Sequence, residues 1–229
     1  MIIMYKSGNF QEYQKVVNNI TQNIKEGKLI VGSKLPSERE LCEENGTSRS
    51  STREAISILR GMGVVESKPG SGNYITDNSA QTIKQIVEVM IAMGSISLKE
   101  LLDYRRTISI AVGNDLIRNG MSAEDEKRIR QIIESMRTAS DEEFCELDRD
   151  FHLSLINATR NNMFMTIMEP IGELYLDLIV PVIMSSTDDD RENRVPMHEN
   201  IFKSILDKDE KACSEAMEYH YSYVHSKLM

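Results

Sequence analysis

Four side chains in the second half of this 229-residue chain have the types and spacing of a metal or acid–base site. Asp148 and His152 are four residues apart, so on a helix they are neighbours on one face. That face is otherwise apolar, with Phe144, Leu147, Phe151 and Leu155 at helical spacing. His198 falls on a second apolar stripe, Val195, Ile201, Phe202 and Ile205. His220 follows Ala212 and Ala216 and precedes Val224 at intervals of four. Residues 206–209 read as the turn between these last two helices. His198 and His220 each lie eleven residues from position 209. At about 1.5 Å per residue both stand roughly 16 Å from the turn, so an antiparallel hairpin makes them face each other.

A bare aspartate and three bare imidazoles inside an apolar bundle are costly. Two readings relieve the cost. The four are hydrogen-bonded core residues, or they ligate a divalent ion of the zinc, nickel or manganese kind, with positions left for water or an effector. Arg105 interrupts another apolar stripe, Leu101, Ile108 and Val112. Its guanidinium is placed to bind an effector carboxylate, or to make a salt bridge with a nearby acid. His225, five residues past His220, falls off the ligand face and reads as solvated.

The first third of the chain carries a different chemistry. Arg49 and Arg53 share one face of a helix with Ser50, Ser57 and Arg60, while Thr52, Ala55, Ile56 and Leu59 form the inner face. Guanidinium groups and short hydroxyls at a helix start suit the major groove and its flanking phosphates. The preceding segment supports this. Ser37-Glu-Arg-Glu40 is a capping box that opens a short helix, and Gly46 stops it. Ser48 then caps the helix of the two arginines after a link of about three residues, as a helix-turn-helix requires. Upstream, Tyr13, Val17, Ile20 and Ile24 predict a helix over 10–26 ended by Gly27, and 29–35 reads as an extended link. Downstream, 64–67 and 73–76 read as strands of a hairpin tipped by Lys68-Pro-Gly-Ser-Gly72, a wing.

Charge divides the chain the same way. The net charge is −9, yet residues 1–76 hold ten basic against eight acidic side chains, and residues 77–229 hold 17 against 28. A slightly basic head on an acidic body suits a DNA-binding module joined to a larger domain. Three widely spaced cysteines, Cys42, Cys145 and Cys213, suggest neither a disulfide framework nor a thiolate metal site, and each reads as a buried free thiol. The N-terminus lacks the pattern of a signal peptide, and the apolar run 178–184 is too short to span a bilayer. The chain is expected to be cytoplasmic, with no membrane partner.

The head resembles the winged helix-turn-helix of the GntR family of bacterial regulators. The matching residues are Leu-Pro-Ser-Glu-Arg-Glu-Leu at 35–41, Ser48-Arg49, Thr-Arg-Glu-Ala-Ile at 52–56, Gly63-Val-Val and Gly70-Ser-Gly72. The resemblance implies DNA contacts by Arg39, Arg49 and Arg53, assisted by Ser50, Ser51 and the wing backbone at Gly70. The body resembles the all-helical C-terminal domain of the FadR subfamily, known as FCD. It does so through 147–152, Asn161-Asn162, His198 with Ile201 and Ile205, and Asp209, Ala212, Met217 and His220. Metal-binding members of that domain use an aspartate and three histidines at these places. The resemblance therefore implies Asp148, His152, His198 and His220 as metal ligands, and a small organic acid as effector. It departs at Ser109, where the family usually has a glutamate four residues after Arg105.

The expected architecture is mainly α. A winged helix-turn-helix occupies 1–76, a linker 77–80, and an all-α ligand-binding and dimerisation bundle 81–229. Six or seven helices are expected in the body, near 80–93, 98–118, 122–138, 141–158, 161–186, 191–207 and 209–227. The expected function is transcription regulation, by a homodimer on a double-stranded operator and without catalysis. An ion acting as the effector is a second possibility. A metal-dependent hydrolase is a third, against which stand the missing general base and the unexplained head.

Overall fold

The structure is a computed structural model, and it describes residues 7–181 and 191–227. It divides into two compact units, 1–82 and 83–229.

In the first unit, α1 (Ser7–Lys25) buries Val16 and Ile20 completely. Tyr13, Val17 and Ile24 are only partly buried, so the inner stripe runs one position off the expected one. Gly27, in the left-handed region with φ 71°, ends the turn that follows. The segment expected to be a plain link instead joins the wing. Gly32 and Leu35 donate their amides to Ile75 and Asn73, Ile75 donates back to Ser33, and Lys34 bridges Tyr74. These bonds satisfy what would be the open edge of a two-stranded ribbon. The capping box at Ser37 and Glu40 forms and opens α2 (Glu38–Asn45). Gly46 closes α2 with φ 59°, and α3 (Arg49–Gly61) starts from Ser48. Leu35, Leu41, Ala55, Ile56 and Leu59 join Val16 and Ile20 in one core. Strands β1 (Val65–Lys68) and β2 (Gly72–Ile75) pair antiparallel, Val65 opposite Ile75.

The second unit contains α5 (Leu98–Asn119), α6 (Ala123–Met136), α7 (Asp141–Ala158), α8 (Asn162–Leu174), α9 (Arg191–Leu206) and α10 (Glu210–Ser226). Helix α4 (Ser79–Ala92) begins within the first unit and continues into the second. None of its side chains is fully buried, and Ile86, Val89, Met90 and Met93 stand exposed at helical spacing. The stretch expected as a linker is partly ordered by the head, because the Asn78 amide donates to the Gly63 carbonyl. Ser97, Ser122, Ser140, Asn161 and Asp209 each cap the helix that follows. Pro170 sits inside α8, whose end runs into a π-helical turn, Tyr175–Ile179. The end of the segment expected at 161–186 lies outside the described residues.

Helices α9 and α10 form the expected hairpin. Helix α10 also lies antiparallel on α5, as Arg118 meets Glu210 at one end and Ser109 meets Tyr221 towards the other. Gly113 permits the approach, since a Cβ there would lie 2.6 Å from Cys213 Sγ. Cys213 is buried, but Cys42 and Cys145 are only half-buried, a correction to the expected three buried thiols.

Gly63 has φ 73°, and a Cβ on it would lie 2.6 Å from the Asn78 carbonyl oxygen. Gly46 has a similar φ with nothing near. Gly63→Ala is expected to cost about 3 kcal/mol, from backbone strain and collision together. Gly46→Ala should cost about 1 kcal/mol, from strain alone. Denaturant unfolding followed by circular dichroism checks the order.

Candidate metal centre and nucleic-acid interface

The four polar residues of the apolar stripes converge. Asp148 and His152 come from α7, His198 from α9 and His220 from α10, and all four are buried. Their ligand atoms lie within 4.8 Å of one another. His198 Nε2 is 2.9 Å from Asp148 Oδ1. The Nε2 atoms of His152 and His220 are 3.8 and 3.6 Å from the same oxygen, and 3.1 Å from each other.

Proton placement decides what this geometry suits. His198 Nδ1 lies 2.8 Å from the Arg194 carbonyl, which only accepts, so Nδ1 carries the hydrogen. In the neutral ring Nε2 then presents a lone pair to a carboxylate oxygen. Either an additional proton or a cation must lie between them. Burial, then the Arg105 charge, pushes His152 well below the usual imidazole range. Burial and His198 push His220 down to about 3. Burial alone would raise Asp148, but the His198 hydrogen bond and the charges of His152, Arg105 and His220 hold it well below the carboxylate range. Ionised aspartate with neutral imidazoles is the donor set a divalent cation takes. An ion about 2.1 Å from each atom needs them no more than about 4.2 Å apart, a contraction of about half an ångström. The residues fit such an ion.

Arg105 of α5 completes the site. It is buried, with Nη2 3.4 Å from Asp148 Oδ2, and its guanidinium carbon is 3.9 Å from the centre of the Tyr175 ring. Tyr221 lies on another side at 5.8 Å, its hydroxyl bonded to Ser109. Of the two readings of Arg105, the salt bridge is present. Its Nη1 is nonetheless buried with no hydrogen-bond partner, as are the Nδ1 atoms of His152 and His220. A cavity of about 40 Å³ adjoins the cluster, walled by Phe144, Asp148, Tyr175, His198, His220 and Val224. At about 10–15 Å³ for one water, it holds two or three, and a multi-carbon acid needs the walls to move.

In the head, Arg39, Arg49, Ser50, Arg53 and Gly70 are all exposed. Arg53 Nε donates to Glu38 at 2.7 Å, and Arg39 lies 3.8 Å from Glu43. Gly70 sits at the wing tip with φ 71° and open space around it. Ser51 is the correction. It is buried, and its hydroxyl donates to Glu12 Oε2 at 2.9 Å, so its side chain faces α1 rather than outwards. Position 51 shares the inner face with Thr52 and Ala55.

Sequence reasoning missed Tyr175, Tyr221, the Arg194 carbonyl and Glu12. An aromatic residue beside His220 marked Tyr221 in principle. Tyr175 follows Met168 and Ile171 at helical spacing, a mark that reads as core rather than as part of a site. His225 is half-buried and stands apart from the cluster. No helix among the described residues is long and apolar enough to cross a membrane.

Comparison with known proteins agrees with both halves. Residues 12–75 match the model for bacterial regulatory proteins of the gntR family, and residues 100–223 match the FCD domain. The regulator LutR of Bacillus subtilis is 30% identical over 210 residues, spanning 90% of this chain and 95% of that protein. The Exu regulon transcriptional regulator of Escherichia coli K12 is 28% identical over 213 residues, spanning 91% and 81%. A solved GntR structure from Streptococcus agalactiae shares the fold with a TM-score of 0.73 at 21% identity, covering 93% of this chain and 99% of that one. With a winged head, a helical FCD body and relatives that are transcription regulators rather than enzymes, this chain belongs to the GntR family of DNA-binding bacterial regulators, in its FCD-bearing, FadR-type branch.

Proposed function

We propose that the affinity of this regulator for its operator is set by a small organic acid bound beside a divalent ion in the body. Asp148, His152, His198 and His220 hold the ion, which supplies a Lewis-acidic anchor for acid oxygens. Arg105 takes the carboxylate. The observation that carries this reading is a buried carboxylate facing imidazole lone pairs, next to a guanidinium with an unpartnered donor. On the DNA side, Arg39, Arg49, Ser50 and Arg53 meet bases and phosphates, and the wing backbone at Gly70 approaches the duplex. Ser51 keeps α3 in place from inside. A homodimer presents two α3 helices to a pseudo-palindromic site in the cytoplasm. The exposed apolar stripe of α4 supports a second copy. Effector and operator are then linked through one coupling free energy, so each changes the affinity for the other by the same factor.

A second reading, in which the ion itself is the effector, is favoured by the small cavity, which has room for an ion and a few waters. Operator affinity that follows chelation and metal return, and ignores small acids, would select it.

Elemental analysis of purified protein is expected to find about one equivalent of a zinc-, nickel- or manganese-like ion. His198→Ala should remove it and chelation should lower the thermal midpoint. Protein that neither contains nor takes up such an ion would refute the centre.

Arg49→Ala and Arg53→Ala should each weaken binding to a duplex selected by the wild-type protein by about 1–3 kcal/mol, or about 5- to 150-fold. Mobility-shift titration measures this, and unchanged affinity in both refutes the assigned face.

Arg105→Gln should keep the ion but abolish the thermal shift produced by small carboxylic acids. A shift as large as that of the wild type would show that the guanidinium does not bind the acid.

A further inference from the structure

Helix α3 begins against a carboxylate. Glu12, from α1, accepts the Ser48 amide at 3.2 Å and the Ser51 hydroxyl at 2.9 Å, both on the same oxygen. Ser48 is the N-cap of α3, and its own hydroxyl accepts the Ser51 amide. These bonds, the Ser48 amide first, hold the Glu12 carboxyl below the usual carboxylate range, so it is ionised at neutral pH. A negative charge at a helix start is favourable to the helix itself.

It is unfavourable to the face that α3 presents. Arg49 and Ser50, the first residues of α3, are exposed and lie in sequence between the Ser48 and Ser51 that Glu12 holds, and Arg53 follows one turn on. Nucleic-acid backbone approaching this end of α3 meets a fixed anion where the rest of the surface offers guanidinium groups. It also finds the Ser48 amide and the Ser51 hydroxyl already engaged. The sum of these effects opposes binding, because like charges near contact repel and the affected donors gain nothing new.

We infer that Glu12 is an affinity-setting residue of the DNA interface: its carboxylate steadies the start of α3 while repelling the phosphate backbone there, so that the operator is held less tightly than the arginines alone would hold it. This rests on the reading of α3 as the DNA-facing helix. The two roles of Glu12 act in opposite directions on two measurable quantities, and a purely structural residue would move both the same way.

Glu12→Gln separates them, because the amide keeps an acceptor for Ser48 and loses the charge. The probe is a 30-base-pair duplex selected from a random pool by the wild-type full-length protein. At about 0.1 M salt, Glu12→Gln should bind it about twofold tighter, the effect of one unit charge roughly 6 Å from a phosphate in water with screening over about 10 Å. The gain should shrink as salt rises, since the repulsion is screened. The thermal midpoint should be equal or lower. Glu12→Ala should change affinity in the same direction. Binding by Glu12→Gln that is unchanged or weaker, with an unaltered circular dichroism spectrum, overturns the inference. A gain that is independent of salt overturns it as well. A wild-type protein that selects no duplex overturns the DNA reading itself, a failure distinguishable from either.

Discussion

The body is built around one ionised carboxylate buried among the helices. Asp148 is buried, lies 2.9 Å from His198 Nε2, stands beside Arg105 and has two further imidazoles within 4 Å. Its neighbours come from α5, α7, α9 and α10, so four helices must keep their register for the charge to remain compensated. Breaking a buried pair by removing one partner costs about 3–5 kcal/mol, because the remaining charge is left alone. The packing of the bundle and the electrostatics of its centre are therefore one constraint. Gly113 belongs to the same constraint, since the close approach at Cys213 brings α10 near enough to α5 for Tyr221 to reach Ser109 and flank Arg105.

Stability alone does not account for such a centre. Apolar residues of similar volume in place of a buried charged cluster are often neutral or stabilising by about 1–4 kcal/mol. Two imidazoles that burial keeps neutral, His152 and His220, add nothing by charge, and each leaves a ring nitrogen without a partner. A group of this kind belongs to a site that binds something. Its composition, one carboxylate with three imidazoles beside a guanidinium, is the basis of the proposed cation and acid site.

Much of this was legible in the sequence, for identifiable reasons. Asp148 and His152 were placed by the four-residue spacing of a helix, which needs no tertiary information. His198 and His220 required one more assumption, an antiparallel hairpin turning at 206–209, and their ring centres lie 4.8 Å apart. What escaped depends on the third dimension. Residues 32–35 pair with β2, although nothing in their composition alternates like a strand. Val16 rather than Val17 is buried because the angle at which α1 meets α3 selects the stripe. Ser51 was expected to assist at the DNA face by the family resemblance, yet its hydroxyl turns inward to an acceptor, Glu12, thirty-nine residues away. Tyr175 continues the buried spacing of Met168 and Ile171, but its contact with Arg105 depends on how α8 packs against α5.

The two units share a physical design. In the head, Glu38 engages Arg53 and Glu12 engages Ser48 and Ser51. In the body, Asp148 engages Arg105 and His198. In each place a protein carboxylate satisfies donors that an anionic partner would also seek. Such donors do not contribute their full strength to binding, because the protein's own bond must be given up first. The loss of affinity brings selectivity, since only a partner that offers several anionic contacts at once, or an ion that redirects Asp148, recovers more than it displaces. A regulator has to release its operator as well as hold it. Internal competition of this kind moves both equilibria towards balance, where a coupling of a few kcal/mol is enough to shift them.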